Sequence, residues 1–125
     1  MVLDTCALLW LAEGSPRLSK VARGRLAEAA LVYVSAITAF EIGLKHRSGK
    51  LVLPVPPHEW FASVVEHHAL ATEPLGWDVC AAASQLPPIH KDPCDRFIIA
   101  TARKLGVPVV TPDPTFKAYG IEVVW

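Results

Sequence analysis

Short apolar stretches, each leading into an acidic residue or a helix, constrain the fold of this chain more than any other feature. They lie at residues 1–3, 31–34 and 107–110, and a further apolar run ends the sequence at 121–125. The segments between them carry the spacing and the capping residues of helices. Strands that alternate with helices pair in parallel, and helices cover both faces of such a sheet. The sequence therefore predicts an α/β fold with a central parallel sheet.

Composition narrows the class of protein. Of 125 residues, 52% are hydrophobic, which is enough for the core of a single domain spanning residues 1–125. No apolar run reaches the roughly 20 residues of a membrane-spanning helix, and Asp4 interrupts the run that a secretion signal would need. We therefore expect a cytoplasmic protein without a membrane partner. The formal net charge is zero, so any nucleic acid has to be held by a local basic rim.

Glu41 is the clearest local anomaly. It belongs to a helix predicted over residues 36–48, in which Ile37, Phe40, Glu41 and Leu44 follow the i, i+3, i+4, i+7 spacing of one face. The apolar members of that face are expected to point inward, and Glu41 is expected to be buried with them because it lies on the same face. A carboxylate in such a position needs a cation, several hydrogen-bond donors or a raised pKa.

Four carboxylates, including Glu41, follow a strand or lie in the first turns of the helix after one. They are Asp4, Glu41, Asp95 and Asp113. In a parallel sheet these positions converge on one edge. A cluster of this kind requires neutralisation by protons or hard cations, and oxygen ligands suit Mg²⁺ or Mn²⁺. Because such an ion can activate a water and stabilise charge on a phosphate, the pattern indicates metal-dependent phosphodiester hydrolysis.

Each acid also has a purely structural explanation. Asp4 can cap the first helix, Asp92 can cap the helix that begins at Pro93, and Asp95 fits the third position of that helix. Asp113, between two prolines, suits a turn. The functional interpretation therefore depends on the whole set rather than on any one member.

Other polar side chains near the expected site are candidates for binding substrate. Thr111 ends a strand and can orient a water or a phosphate. Lys45, just past Glu41, can contact a phosphate backbone or sit at a solvated helix end. Arg96, next to Asp95, can act as a substrate clamp or form a local ion pair.

The ordered set of motifs resembles the PIN-domain ribonucleases, and especially the VapC-type toxins of toxin–antitoxin pairs. The motifs that carry this resemblance are Leu3-Asp4-Thr5, the segment from Val34 to Ile42, the segment from His90 to Ala102, and Thr111-Pro112-Asp113. Together they span essentially the whole chain.

The resemblance implies a three-layer α/β/α fold and a Mg²⁺- or Mn²⁺-dependent endoribonuclease that cuts RNA with a metal-activated water. By position, Asp4, Glu41 and Asp95 match the core acidic ligands, and Asp113 matches a fourth acid that supports a second ion or a water. The resemblance also implies a homodimer and a small antitoxin that blocks the active site. Cys94 departs from the pattern, because close relatives have an aromatic residue there.

Two alternative functions remain open from the sequence. A phosphatase would use Asp4 as its nucleophile, but it would normally have a second aspartate two residues on, where this chain has Cys6. A non-catalytic partner-binding α/β module would use the same acids only as helix caps.

Overall fold

The computed structural model describes residues 1–125 and contains five parallel strands, six α-helices and one 3-10 helix. The strands are β1 (Val2–Leu3), β2 (Tyr33–Ser35), β3 (Ala71–Glu73), β4 (Val109–Val110) and β5 (Val123–Val124). The helices are α1 (Thr5–Glu13), α2 (Lys20–Glu28), α3 (Ala36–Arg47), α4 (Pro57–His67), α5 (Trp77–Gln85) and α6 (Pro93–Leu105), and the 3-10 helix spans Pro114–Tyr119.

The sheet has the strand order β3-β2-β1-β4-β5. The chain builds outward from β1 to β3 and then returns to place β4 on the other side of β1. In open parallel sheets, ligands bind beyond the carboxyl ends of the strands at this kind of reversal. The fold therefore directs attention to the residues that directly follow β1 and β4.

Alternating strand residues divide the core into two halves. Leu3, Val34 and Val110 pack with α1, α2 and α4 on one face of the sheet. Val2 and Val109 pack with α6 and the 3-10 helix on the other. Successive side chains of a strand point to opposite faces, so the sheet is covered on both sides. The predicted three-layer α/β/α architecture is confirmed.

Local sequence signals account for most helix boundaries. Ser19 caps α2 by accepting a hydrogen bond from the Ala22 N–H at 3.0 Å, and Ser35 caps α3 through the Ile37 N–H at 3.2 Å. Helix α6 ends at Gly106, whose φ of 65° is the left-handed conformation that glycine adopts without strain. None of the six α-helices combines the length and the apolar character needed to cross a membrane.

The expected inward face of α3 was wrong in part. Ile37 and Glu41 are buried, but Phe40 is 57% exposed and Leu44 is 48% exposed. The buried side of the helix instead runs through Ile37, Thr38, Glu41 and Ile42, because α3 packs against α1, α4 and α6. The apolar stripe of the sequence is therefore wider than the surface that these neighbours cover.

The corrected face of α3 predicts unequal costs for two truncations on the same helix. Ile42→Ala should lower the free energy of unfolding by about 2–5 kcal/mol, because Ile42 is fully buried. Leu44→Ala, the matched control, should change it by less than about 0.5 kcal/mol. Urea denaturation followed by circular dichroism measures both, and equal losses would contradict this packing.

Candidate functional site

The structure brings the four predicted acids to the carboxyl ends of the central strands. Asp4 follows β1, Glu41 lies in the second turn of α3, Asp95 lies in the first turn of α6, and Asp113 begins the 3-10 helix after β4. Contacts link three of them: Thr111 donates its hydroxyl to Asp4 and accepts the Asp113 N–H, and His90 Nε2 lies within 3.0 Å of both Asp95 and Asp113. Glu41 adds to burial in raising the pKa of Asp4 and Asp95, so its charge also acts at this edge of the sheet.

Asp4 is a helix cap and a member of this cluster at the same time. One carboxylate oxygen accepts the Ala7 N–H at 2.7 Å, and the other accepts the Thr111 hydroxyl at 2.5 Å. The residue is only 5% exposed. Burial, aided by the neighbouring carboxylates, outweighs these hydrogen bonds and raises the pKa of Asp4 to about 6.

Glu41 has the least satisfied carboxylate of the set. It is 8% exposed, and its Oε2 is buried without a hydrogen-bond partner. The Lys45 Nζ lies 3.8 Å from that oxygen, which is an ion-pair contact too long for a hydrogen bond. Glu41 also offers a carboxylate oxygen within 4.8 Å of a ligand atom of Asp92. A buried carboxylate without a hydrogen bond to one of its oxygens suits a cation ligand. The donor set is made of oxygens, which fits Mg²⁺ or Mn²⁺.

Asp95 is half-buried beneath the loop that precedes α6. Burial is the main cause that raises its pKa, and the adjacent carboxylate of Asp92 adds to it. Asp92 itself caps α6, because its carboxylate accepts the Cys94 N–H at 2.9 Å. Cys94 is buried beside Glu41, and burial raises its thiol pKa to about 11. This sulfur is therefore a neutral thiol rather than a thiolate at neutral pH.

Both carboxylate oxygens of Asp113 have hydrogen-bond partners. Its Oδ1 accepts the Thr115 N–H at 2.9 Å, and its Oδ2 lies 2.9 Å from the Nε2 atom of His90. Burial alone would raise the pKa of Asp113, but the hydrogen bonds from Thr115 and His90 outweigh it and lower the pKa. Asp113 is therefore ionised through the physiological range.

The three predicted substrate-binding residues have different surroundings. Thr111 is fully buried and donates its hydroxyl to Asp4, so it orients that acid. Lys45 is partly exposed at the rim beside Glu41, where a phosphate can approach.

Arg96 forms no ion pair with Asp95, and its role as a substrate clamp stays a prediction. Its guanidinium donates to the carbonyls of residues 83, 86, 87 and 90 at 2.6–3.3 Å. With those donors engaged, Arg96 ties the loop between α5 and α6 to α6. The sequence suggested a substrate role because only the adjacency of Arg96 to Asp95 was visible.

Sequence reasoning missed His90 at this site. The spacing of the five histidines in the sequence does not indicate a metal site, so the sequence alone gives no reason to single out His90. Its Nε2 lies 3.0 Å from Asp95 Oδ2 as well as 2.9 Å from Asp113 Oδ2. The available signal was its position five residues before Asp95, in a loop that has to return to the same edge of the sheet.

Comparison with known proteins identifies the class that this fold and acid cluster define. The chain belongs to the PIN domain family, whose model matches residues 1–122. It is 30% identical over 120 residues to Ribonuclease VapC22 of Mycobacterium tuberculosis (strain ATCC 25618 / H37Rv), covering 95% of this chain and 91% of that protein. The resemblance seen in the sequence is confirmed.

Solved structures show the same fold at lower identity. VapBC2 from Rickettsia felis, bound to a DNA fragment from its promoter, superposes with a TM-score of 0.71 at 14% identity over 98% of this chain and 95% of that one. FitAcB from Neisseria gonorrhoeae superposes with a TM-score of 0.67 at 24% identity, over 98% and 94% of the two chains.

Because Asp4 is buried, its ionisation should lower the free energy of unfolding of the metal-free protein as the pH rises. Its pKa of about 6 in the folded state exceeds the ordinary value of 3.8, so its contribution to stability is complete at low pH and is lost as pH rises through 6. We therefore compare the free energy of unfolding of Asp4→Asn with that of the parent chain in the presence of a chelator. The difference should shift in favour of Asp4→Asn as the pH rises from 4 to 7.5, by up to roughly 3 kcal/mol.

Urea denaturation at a series of pH values measures this difference. The exposed Glu66 of α4 supplies the control, since Glu66→Gln should show no comparable trend. A stability difference for Asp4→Asn that stays constant with pH would contradict the assignment of Asp4 as a desolvated carboxyl.

Proposed function

We propose that this chain is a metal-dependent endoribonuclease and the toxin of a toxin–antitoxin pair. The observation that carries the proposal is the buried Oε2 of Glu41, which has no hydrogen-bond partner. The charge of Glu41 adds to burial in raising the pKa of both Asp4 and Asp95, which supports a shared site. Membership of the PIN domain family and the name of the relative, Ribonuclease VapC22, support the ribonuclease assignment.

Asp4, Glu41 and Asp95 are the proposed ligands of a Mg²⁺ or Mn²⁺ ion. When bound, that ion supplies charge for the phosphate and lowers the pKa of a coordinated water. The protein contributes orientation: the Ala7 N–H and the Thr111 hydroxyl fix the two oxygens of Asp4. Asp113, ionised and held at the mouth of the cluster, adds a further negative charge. Lys45 at the rim offers a positive charge to the RNA backbone.

Specific contacts disfavour the alternative functions. A phosphatase that uses Asp4 as its nucleophile would normally have a second aspartate two residues on, and this chain has the half-buried Cys6 there. The hypothesis of a non-catalytic module, in which the acids serve only as helix caps, accounts for Asp4, Asp92 and Asp113. It does not account for Glu41, which caps no helix and has a buried oxygen without a hydrogen-bond partner.

The proposal extends to partners. The solved relatives include VapBC2 with its promoter DNA and a FitAB complex bound to a DNA fragment, and their names support an antitoxin for this chain. The exposed Phe40 and Leu44 of α3, together with Trp77 at 85% exposure, supply apolar surface for a homodimer or for that antitoxin. An antitoxin arginine placed among the carboxylates would replace the cation. The cytoplasm is the proposed location, because RNA substrates are found there.

Removing one proposed ligand should abolish RNA cleavage while the fold survives. Asp4→Asn, Glu41→Gln and Asp95→Asn should each reduce cleavage of a mixed cellular RNA panel by about 100-fold or more, because each removes charge that the ion requires. A chelator should have the same effect on the parent chain, reversed by Mn²⁺ or Mg²⁺. The matched control Glu66→Gln should retain full activity, and full activity in any of the three ligand variants would refute the assignment.

Lys45 should act on RNA binding rather than on the chemical step. At saturating metal concentration, Lys45→Gln should raise KM and leave kcat nearly unchanged. It should also reduce the slope of the logarithm of the RNA-binding constant against the logarithm of salt concentration by about one. Lys20→Gln, an exposed lysine on α2, is the control. A fall in kcat at unchanged KM would show that Lys45 acts through Glu41 instead.

A further inference from the structure

His90 lies between two of the clustered carboxylates. Its Nε2 is 2.9 Å from Asp113 Oδ2 in hydrogen-bond geometry and 3.0 Å from Asp95 Oδ2 in ion-pair contact. Its side chain is only 13% exposed. A histidine flanked by two aspartates, with ligand atoms within 4.8 Å of one another, has the composition of a metal site. Whether Nδ1, the other ring nitrogen, carries a proton decides whether Nε2 can be a metal ligand or is a hydrogen-bond donor.

That other nitrogen accepts a hydrogen bond. The Asp92 N–H donates to His90 Nδ1 at 3.2 Å, so Nδ1 presents a lone pair there. A neutral imidazole has one protonated nitrogen and one lone pair. The proton is therefore on Nε2, the atom that faces Asp95 and Asp113. A nitrogen that carries a proton cannot coordinate a metal ion.

Protein groups hold the backbone and the ring of His90 in place. The Tyr119 hydroxyl accepts a hydrogen bond from the backbone N–H of His90 at 2.7 Å and donates to the Pro87 carbonyl at 2.8 Å. Arg96 donates to the carbonyl of His90 at 3.3 Å and to that of Pro87 at 2.9 Å. The ring also packs edge-on against Phe116, with 5.6 Å between centroids. Arg96 and Tyr119 therefore position His90.

We propose that the Nε2–H of His90, which lies between Asp95 and Asp113, prevents these three residues from holding an ion of their own, so that the site would hold one divalent cation per chain. Asp4, Glu41 and Asp95 hold that cation, and Asp113 accepts from His90 instead of coordinating metal. The inference rests on the proposed function and specifies the number of ions.

The tautomer of His90 tests the first step directly. Long-range ¹H–¹⁵N correlation spectra of the full chain, labelled at histidine, should show Nδ1 unprotonated and Nε2 protonated at pH 7.5, both in chelator and with Mg²⁺. The His90→Gln variant identifies the signals by their loss. A proton on Nδ1 in either condition would overturn the proposal, because His90 could then ligate metal or would be a cation.

The number of bound ions tests the second step. Free Mn²⁺ measured by electron paramagnetic resonance should give one bound ion per chain for the parent, for Asp113→Asn and for His90→Gln, whose amide retains an N–H donor. Asp95→Asn, which removes a proposed ligand, should weaken binding by about 10-fold or more. Two ions in the parent and one in Asp113→Asn or His90→Gln would overturn the inference.

Ion counting and RNA cleavage together distinguish a failure of the role proposed for His90 from a failure of the proposed nuclease activity. A parent chain that binds two Mn²⁺ ions and cleaves RNA leaves the proposed nuclease intact and removes only the role given to His90. A parent chain that binds no Mn²⁺ and cleaves no RNA in its presence removes the nuclease proposal, whatever the tautomer of His90.

Discussion

Crowding of buried carboxylates beyond the carboxyl ends of the strands is the constraint on which the rest of this site depends. Desolvation raises the pKa of Asp4 and Asp95, and their mutual repulsion with Glu41 adds to the effect. A folded chain gains nothing in stability from this arrangement, since each group would be better solvated elsewhere. A divalent cation bound among these carboxylates would offset the lost hydration, and the proposed function depends on that compensation.

The sheet topology creates the crowding. Because β1 and β4 are neighbours, the residues that follow them, Asp4 and Thr111, meet even though 107 positions separate them in sequence. The N-termini of α3 and α6 lie at the same edge and bring in Glu41 and Asp95. Asp4 shows that a helix cap can also belong to the acid cluster, since one oxygen accepts the Ala7 N–H while the carboxylate stays among the other acids.

Local patterns predicted the parts of this structure that local physics controls. The alternation of strands and helices predicted the parallel sheet, Asp92 marked the start of a helix, and the burial of Glu41 followed from helical spacing. Spacing could not tell which of the apolar residues around Glu41 meet a neighbour, so the outward position of Phe40 was missed. The surroundings of Arg96 and His90 depend on how the loop between α5 and α6 folds back, which no periodicity encodes. Asp4, Glu41 and Asp113 were identifiable because each follows a strand or lies in the helix after one. The expected placement of Asp95 after a strand was wrong, because its helix α6 follows α5 and reaches the same edge of the sheet through the loop between them.

The central claim is that a single cation bridges Asp4, Glu41 and Asp95. Crystals grown with Mn²⁺ and measured at a wavelength where manganese scatters anomalously test it most directly. The account predicts one anomalous peak within coordination distance of all three carboxylates. A well-ordered crystal structure with saturating Mn²⁺ and no peak there, or with those carboxylates turned apart into separate caps, would contradict it.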